Sequence, residues 1–241
     1  MATLPNKTAL LNQIANLLPL ALDPAYATRA ATNDLYEVVN FCLVVQAAED
    51  AKGNITFKDG DDNAVTSLCF STQPHNISRG PYTHALIEFE NKLPLEAHLG
   101  IYVSPQSVVD PMECDVCVVH KSEAEFFRNN ANRTVKNRGK RKGPDGLKLL
   151  IAVECKYWKN DLNSAKAYEC IGRFASLSAK HRHIVAATPS KSAGRKILER
   201  LKCYVWQPEL LPTNIPAMIR FRGLLSQEFI DYQAESRNNQ P

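Results

Sequence analysis

The chain predicts an α/β fold, a mixed β-sheet flanked by α-helices, and three observations lead there. Short strand-like runs separated by turn residues fill residues 55–119. An apolar run from Leu149 to Val153 ends on Glu154-Cys155-Lys156, and beyond it helical and strand periodicities alternate. With 241 residues and 44% hydrophobic composition the chain can bury a full core and reads as one domain over 1–241.

Leu10, Leu11, Ile14, Leu17 and Leu18 recur at helical spacing, which predicts an N-terminal helix over 7–22 that ends around Pro19 and Asp23-Pro24. A second helix starts near Thr32-Asn33-Asp34 and closes near Gly53. Apolar residues go nearly all the way round it, so most of its circumference should be buried. Strands are predicted at 55–57, 65–70, 82–89, 95–103 and 113–119, joined as an antiparallel meander. Alternation along 95–103 puts Leu95, Ala97, Leu99, Ile101 and Val103 on one face. Glu96, His98, Gly100 and Tyr102 take the other, a face left for solvent or function. After a basic insertion at 121–147 come a strand from 149, a helix over 163–180, a strand over 183–187, a helix over 192–202 and a strand over 203–206. A C-terminal extension, 207–241, is helical over 218–232 and ends in an unstructured tail from 235.

The net charge of +4 is too mild to name a partner, but its distribution is uneven. Between Arg128 and Lys148 stand Arg133, Lys136, Arg138, Lys140, Arg141 and Lys142, opposed only by Asp145 and spaced by Asn, Gly and Pro. Such a segment reads equally as an ordinary solvated loop and as one that phosphates neutralise. No apolar segment reaches spanning length, so no membrane partner is expected. The first residues lack the pattern of a secretory signal, and seven cysteines are an odd number for a disulfide framework. The cytoplasm is the expected compartment.

Side chains on a strand alternate faces, so Glu154 and Lys156 share one side while Val153, Cys155 and Tyr157 take the other. In isolation the two charges form a simple ion pair. Asp115, Cys117 and Val119 share a side of their own strand by the same rule. Glu37 has two readings: with Asp34 it has capping-box spacing, or it projects from an apolar helix towards a polar site.

In order, these elements are a helix with Glu37, antiparallel strands, a strand with Asp115, a strand with Glu154-Cys155-Lys156, then helix, strand and helix. The arrangement over about 32–206 resembles the PD-(D/E)xK nuclease superfamily, although Cys114 stands where the Pro of the motif would be. The resemblance implies a restriction-endonuclease-like fold and Mg2+-dependent hydrolysis of phosphodiester bonds, with Mn2+ as a substitute. The expected substrate is DNA, with RNA as the alternative. The implied catalytic residues are Glu37, Asp115, Glu154 and Lys156. Asp115, Glu154, the Cys155 backbone carbonyl and Glu37, directly or through water, would hold the metal, and Lys156 would orient the attacking water. Glu49 is the rival for the place of Glu37. Arg133, Lys136, Arg138, Lys140, Arg141, Lys142 and Arg173 are the expected nucleic-acid contacts. Specificity would come from loops, a homodimer or a partner protein. The alternative is a catalytically silent nucleic-acid-binding module of the same fold, working within a larger complex.

Other residues carry weaker signals. Cys114-x-x-Cys117 is half a zinc pattern, but residues three apart on a strand face opposite ways and no second pair exists. His98 reads as a hydrogen-bonded sheet histidine before a substrate contact. His181 and His183 read as a solvated turn or a phosphate contact, and Trp158 as a packing residue or a stacking platform for a base.

Overall fold

The computed structural model describes residues 4–78, 80–105, 110–130, 143–157, 163–187, 193–200 and 205–235. Arg133, Lys136, Arg138, Lys140, Arg141, Lys142, Trp158 and the tail from 236 lie outside the described residues. Seven strands form one sheet in sequence order: β1 (Asn54–Lys58), β2 (His84–Glu88), β3 (Leu95–Val103), β4 (Met112–His120), β5 (Leu149–Lys156), β6 (His181–Ala186) and β7 (Val205–Gln207). Strands β1 to β5 pair antiparallel, whereas β5, β6 and β7 run parallel. A parallel neighbour needs a crossover, and the helices after β5 and β6 supply the two required.

On one face lie α1 (Lys7–Leu17), α3 (Thr32–Asp50) and α7 (Ile215–Ala234); α2 (Pro24–Arg29) links the first two. On the other lie α4 (Lys121–Asn130), α5 (Ser164–Ser176) and α6 (Ala193–Arg200). The all-round apolar character of α3 is explained by its place: it packs on the sheet and is flanked by α1 and α7. The C-terminal segment is therefore no appendage, because Phe221, Leu225, Phe229 and Tyr232 of α7 complete the α3-side core. Arg222 ties the two helices at their rim by reaching Asp50. Among the described residues no helix is long and apolar enough to cross a membrane.

Four expectations change. The first helix stops at Leu17 rather than 22; Leu18 is extended, as a residue just before proline tends to be, and α2 starts afresh from the Asp23 cap with Pro24 in its first turn. Residues 65–70 form no strand. They are held by the bridge Leu22↔Leu68 and by hydrogen bonds to Phe57 and Thr83, while Leu68 and Phe70 are buried as a strap over the core. The basic insertion is not loop throughout: its first ten residues are α4, whose Ala124, Phe127 and Arg128 are buried. Glu96, expected on a face open to solvent or function, is sealed beneath that helix at 0% exposure. Three apolar residues, Ala124, Phe126 and Phe127, among the ten of α4 are too sparse a periodicity to announce the helix.

The alternation rule also breaks in the middle of β3 and β4. Gly100, opposite Asp115 by the register of its neighbours, has φ +60°, a conformation that strains any side-chain-bearing residue. Leu99 and its partner Val116 belong to the α3-side core, but Ile101 and its partner Cys114 belong to the opposite core. Both strands thus turn over at the Gly100–Asp115 level. For the same reason Cys114 and Cys117 enter one core instead of facing apart.

Candidate functional site

The site forms where the sheet changes from antiparallel to parallel, at the C-terminal end of β5. There α3 begins on one face and α5 covers the other. A cavity of about 230 Å³ opens at this point, lined by Glu37 of α3, Glu113 and Asp115 of β4, Cys155 and Lys156 of β5, and Arg173 of α5. Asn33, Asp34, Gly100 and the segment Ser71-Thr72-Gln73 complete its wall. Three layers therefore contribute to one polar pocket.

Local structure explains each placement. The start of α3 is capped by Asp34, whose carboxylate accepts the Ala31 N–H at 2.8 Å. The capping task is thus taken three residues before Glu37, which is free to face the cavity. Glu49, its rival, is exposed at the far end of α3. Asp115 sits where β3 and β4 turn over, and its Oδ2 accepts the Cys155 N–H at 2.6 Å. That bond replaces a rung of the β4–β5 ladder with a side chain and anchors the carboxylate beside the end of β5. Alternation on β5 holds: Cys155 belongs to the α3-side core and Tyr157 packs against it, the latter's ring 5.3 Å from that of Tyr36, while Glu154 and Lys156 turn towards α5.

Glu154 is only 1% exposed and accepts from both Lys156 and Arg173, the latter at 2.8 Å. The simple ion-pair reading of Glu154 and Lys156 is therefore realised, with Arg173 as a third member. The oxygens of Glu37, Asp115 and Glu154 do not gather into one ligand cluster; among the described residues, only Asp62, His84 and Glu96 bring three ligand atoms within 4.8 Å of one another. Carboxylates without a cation repel, and Glu154 has two cations of its own. The chemistry of the donor set nonetheless fits a hard divalent ion. Glu37, Asp115 and Glu113 add three carboxyl groups around a polar cavity whose described cations, Lys156 and Arg173, are both bound to Glu154.

Electrostatics report the same imbalance. Burial, reinforced by Asp115 and Glu113, pushes the Glu37 carboxyl up to about 10. Burial, with Glu154 beside it, pushes Asp115 up to about 8, against the opposing effects of Lys156 and the Cys155 N–H. Burial would lower the Lys156 ammonium, but Glu154 and Asp115 outweigh it and hold Lys156 above its ordinary value. Glu113 is raised by burial. Sequence reasoning passed over it as an ordinary strand opening, although it stands two residues from Asp115 and the alternation rule itself could have paired them.

A pH dependence follows. In EDTA the folded chain keeps protons on Asp115 and Glu37 at neutral pH, whereas the unfolded chain releases them near pH 4. Between those limits the folded state binds more protons, so stability falls as pH rises from about 4 to about 8 for Asp115. Thermal melts of wild type and Asp115→Asn across this range should show a shallower decline in the variant. Parallel declines would contradict this description of Asp115.

Arg173, expected as a nucleic-acid contact, lines the cavity and is bonded to Glu154. His98 is a buried sheet histidine bonded to Glu96 at 3.0 Å. His183, no solvated residue, is fully buried against Glu228 of α7, and His181 lies 3.4 Å from the same carboxylate. No family model matches the chain, and no curated protein or solved structure matches it either.

Proposed function

We propose that this protein is a metal-dependent endonuclease that hydrolyses phosphodiester bonds in DNA, with the active site in the cavity at the end of β5. The observation that carries the reading is the convergence of Glu37, Asp115, Cys155, Lys156 and Arg173, from four separate elements, on one polar pocket. The order α3, β3, β4, β5, α5, β6, with three antiparallel strands and a parallel fourth, supports a restriction-endonuclease-like core.

In this reading Asp115, Glu37, Glu154 and the Cys155 carbonyl would hold Mg2+. When bound, the ion supplies a Lewis acid for the scissile phosphate and offsets the excess of carboxylate. Lys156 stands at the cavity wall, where its ammonium orients the attacking water and compensates charge growing on the phosphoryl oxygens. Arg173 holds the Glu154 carboxylate in place and offers its remaining N–H groups to a phosphate. Glu113 adds negative charge that favours cation binding.

The test is digestion of plasmid, linear duplex and RNA by the purified chain with Mg2+, Mn2+ or EDTA. DNA cleavage with metal, none in EDTA, and a loss of roughly three orders of magnitude in Asp115→Asn and Glu154→Gln are expected. Cleavage that both variants retain at the wild-type rate would sink the assignment. The ion cluster of Glu154, Lys156 and Arg173 favours a second reading, a silent nucleic-acid-binding module, because it leaves Glu154 already neutralised. Salt-sensitive binding to DNA without cleavage under any divalent metal would select that one.

A further inference from the structure

On the opposite side of the β2–β3 pair from α3 lies a second cluster of chemistry-bearing side chains, built from different residues. We infer that Asp62, His84 and Glu96 form a binding site for a divalent transition metal of the zinc class, separate from the cavity at the end of β5. One donor atom from each lies within 4.8 Å of the other two. Independently of that proximity, the His84 side chain is 0% exposed, and among the described residues neither of its ring nitrogens has a hydrogen-bond partner. A fully buried imidazole with two unsatisfied nitrogens is a state that proteins avoid unless something else occupies them.

The geometry suits a metal. His84 Nε2 stands 3.7 Å from Glu96 Oε2, too far for a hydrogen bond. It is close to the roughly 3.4 Å that separates two ligands held at about 2.1 Å in a tetrahedral site. A neutral imidazole nitrogen with no hydrogen-bond partner has a lone pair to give a metal. Glu96 is fixed in place by hydrogen bonds from Arg128 and His98. Arg128 bonds both Glu96 oxygens and His98 bonds Oε2, so the carboxylate is held in one orientation, as the carboxylates of metal sites are. Asp62 is exposed, so it can close on an entering ion, and it borders a cavity of about 180 Å³ that also meets Asp61 and Glu125. The carboxylates Asp61, Asp62, Glu96 and Glu125 outnumber the cations Arg128 and Lys121 four to two. Lys121, 3.4 Å from both Asp62 and Glu125, can leave the former for the latter as the ion arrives.

A ligand set with an imidazole and two carboxylates favours Zn2+, Co2+ or Mn2+ over Mg2+ or Ca2+. Its consequence is a tie between the turn after β1, which carries Asp62, and the middle of the sheet. The test uses the full chain stripped with a chelator and titrated calorimetrically with Zn2+, and with Co2+ for its visible spectrum. Wild type and Asp115→Asn are expected to bind Zn2+ at this site, whereas Asp62→Asn and His84→Gln each weaken it at least about ten-fold. The Co2+ spectrum should lack thiolate charge transfer, which sets the site apart from the cysteines. Asp62 is exposed, so its variant folds even where His84→Gln does not. Absence of Zn2+ binding in wild type, or Zn2+ affinity unchanged in Asp62→Asn, would overturn the proposal. Because Asp115→Asn disables the other cavity, failure here leaves the nuclease reading standing, and failure there leaves this one.

Discussion

Replacing Arg128 by Ala should destabilise the protein by about 3–5 kcal/mol, because it removes one partner of a buried ion pair and leaves the other stranded. Glu96 has no exposed surface and receives both guanidinium nitrogens, Nη1 at 2.7 Å and Nη2 at 2.5 Å. What remains beside it, His98 and His84, is held neutral by burial. Glu96 must then take up a proton or admit water beneath α4. For a chain of this size the loss corresponds to a melting midpoint lower by roughly 6–20 °C, measured in EDTA so that bound metal does not intervene. Arg128→Met combined with Glu96→Gln should recover part of the loss, since the desolvated charge goes with its partner. A melt of Arg128→Ala within about 1 kcal/mol of wild type would show that the pair does not hold α4 on the sheet.

Lys156→Met should lower the rate of DNA cleavage by about 10²–10⁴-fold while leaving the fold intact. Glu154 keeps Arg173 at 2.8 Å, so the substitution does not bury an unpaired carboxylate. The methionine fills the space of the lysine stem, and only the ammonium at the cavity wall is lost. Lys156 and a metal ion compete for Glu154, so Mn2+ affinity should rise in the variant even as turnover falls. This opposite movement separates a catalytic lysine from a purely structural one, whose removal would lower both through unfolding. Single-turnover cleavage at the wild-type rate in Lys156→Met would remove Lys156 from the chemistry.

Much of the frame was legible before any coordinates. Alternation placed Glu154 with Lys156 and Cys155 with Tyr157, since successive side chains of a regular strand point to opposite faces. The all-round apolar surface of α3 announced a helix covered on several sides, and Glu37 was conspicuous within it. Glu113 and Gly100 were not conspicuous: one looks like a strand opening, and the other matters through a positive φ that twists two strands at once.

Arg128 and Glu96 are 32 residues apart, the first inside a basic run, and nothing local marks them as partners. Residue periodicity therefore determined the sheet, its mixed character, the helix that covers it and the row of charges at the end of β5. Which charges meet was decided only by tertiary structure. Periodicity is a property of a chain and its nearest neighbours, whereas the charge state and partner of a buried group depend on what folds over it. That is why Glu154, legible as a charged strand residue, became a carboxylate held by Lys156 and Arg173. It is also why His84, unremarked in the sequence, and Glu96, expected on an open face, stand together beneath α4.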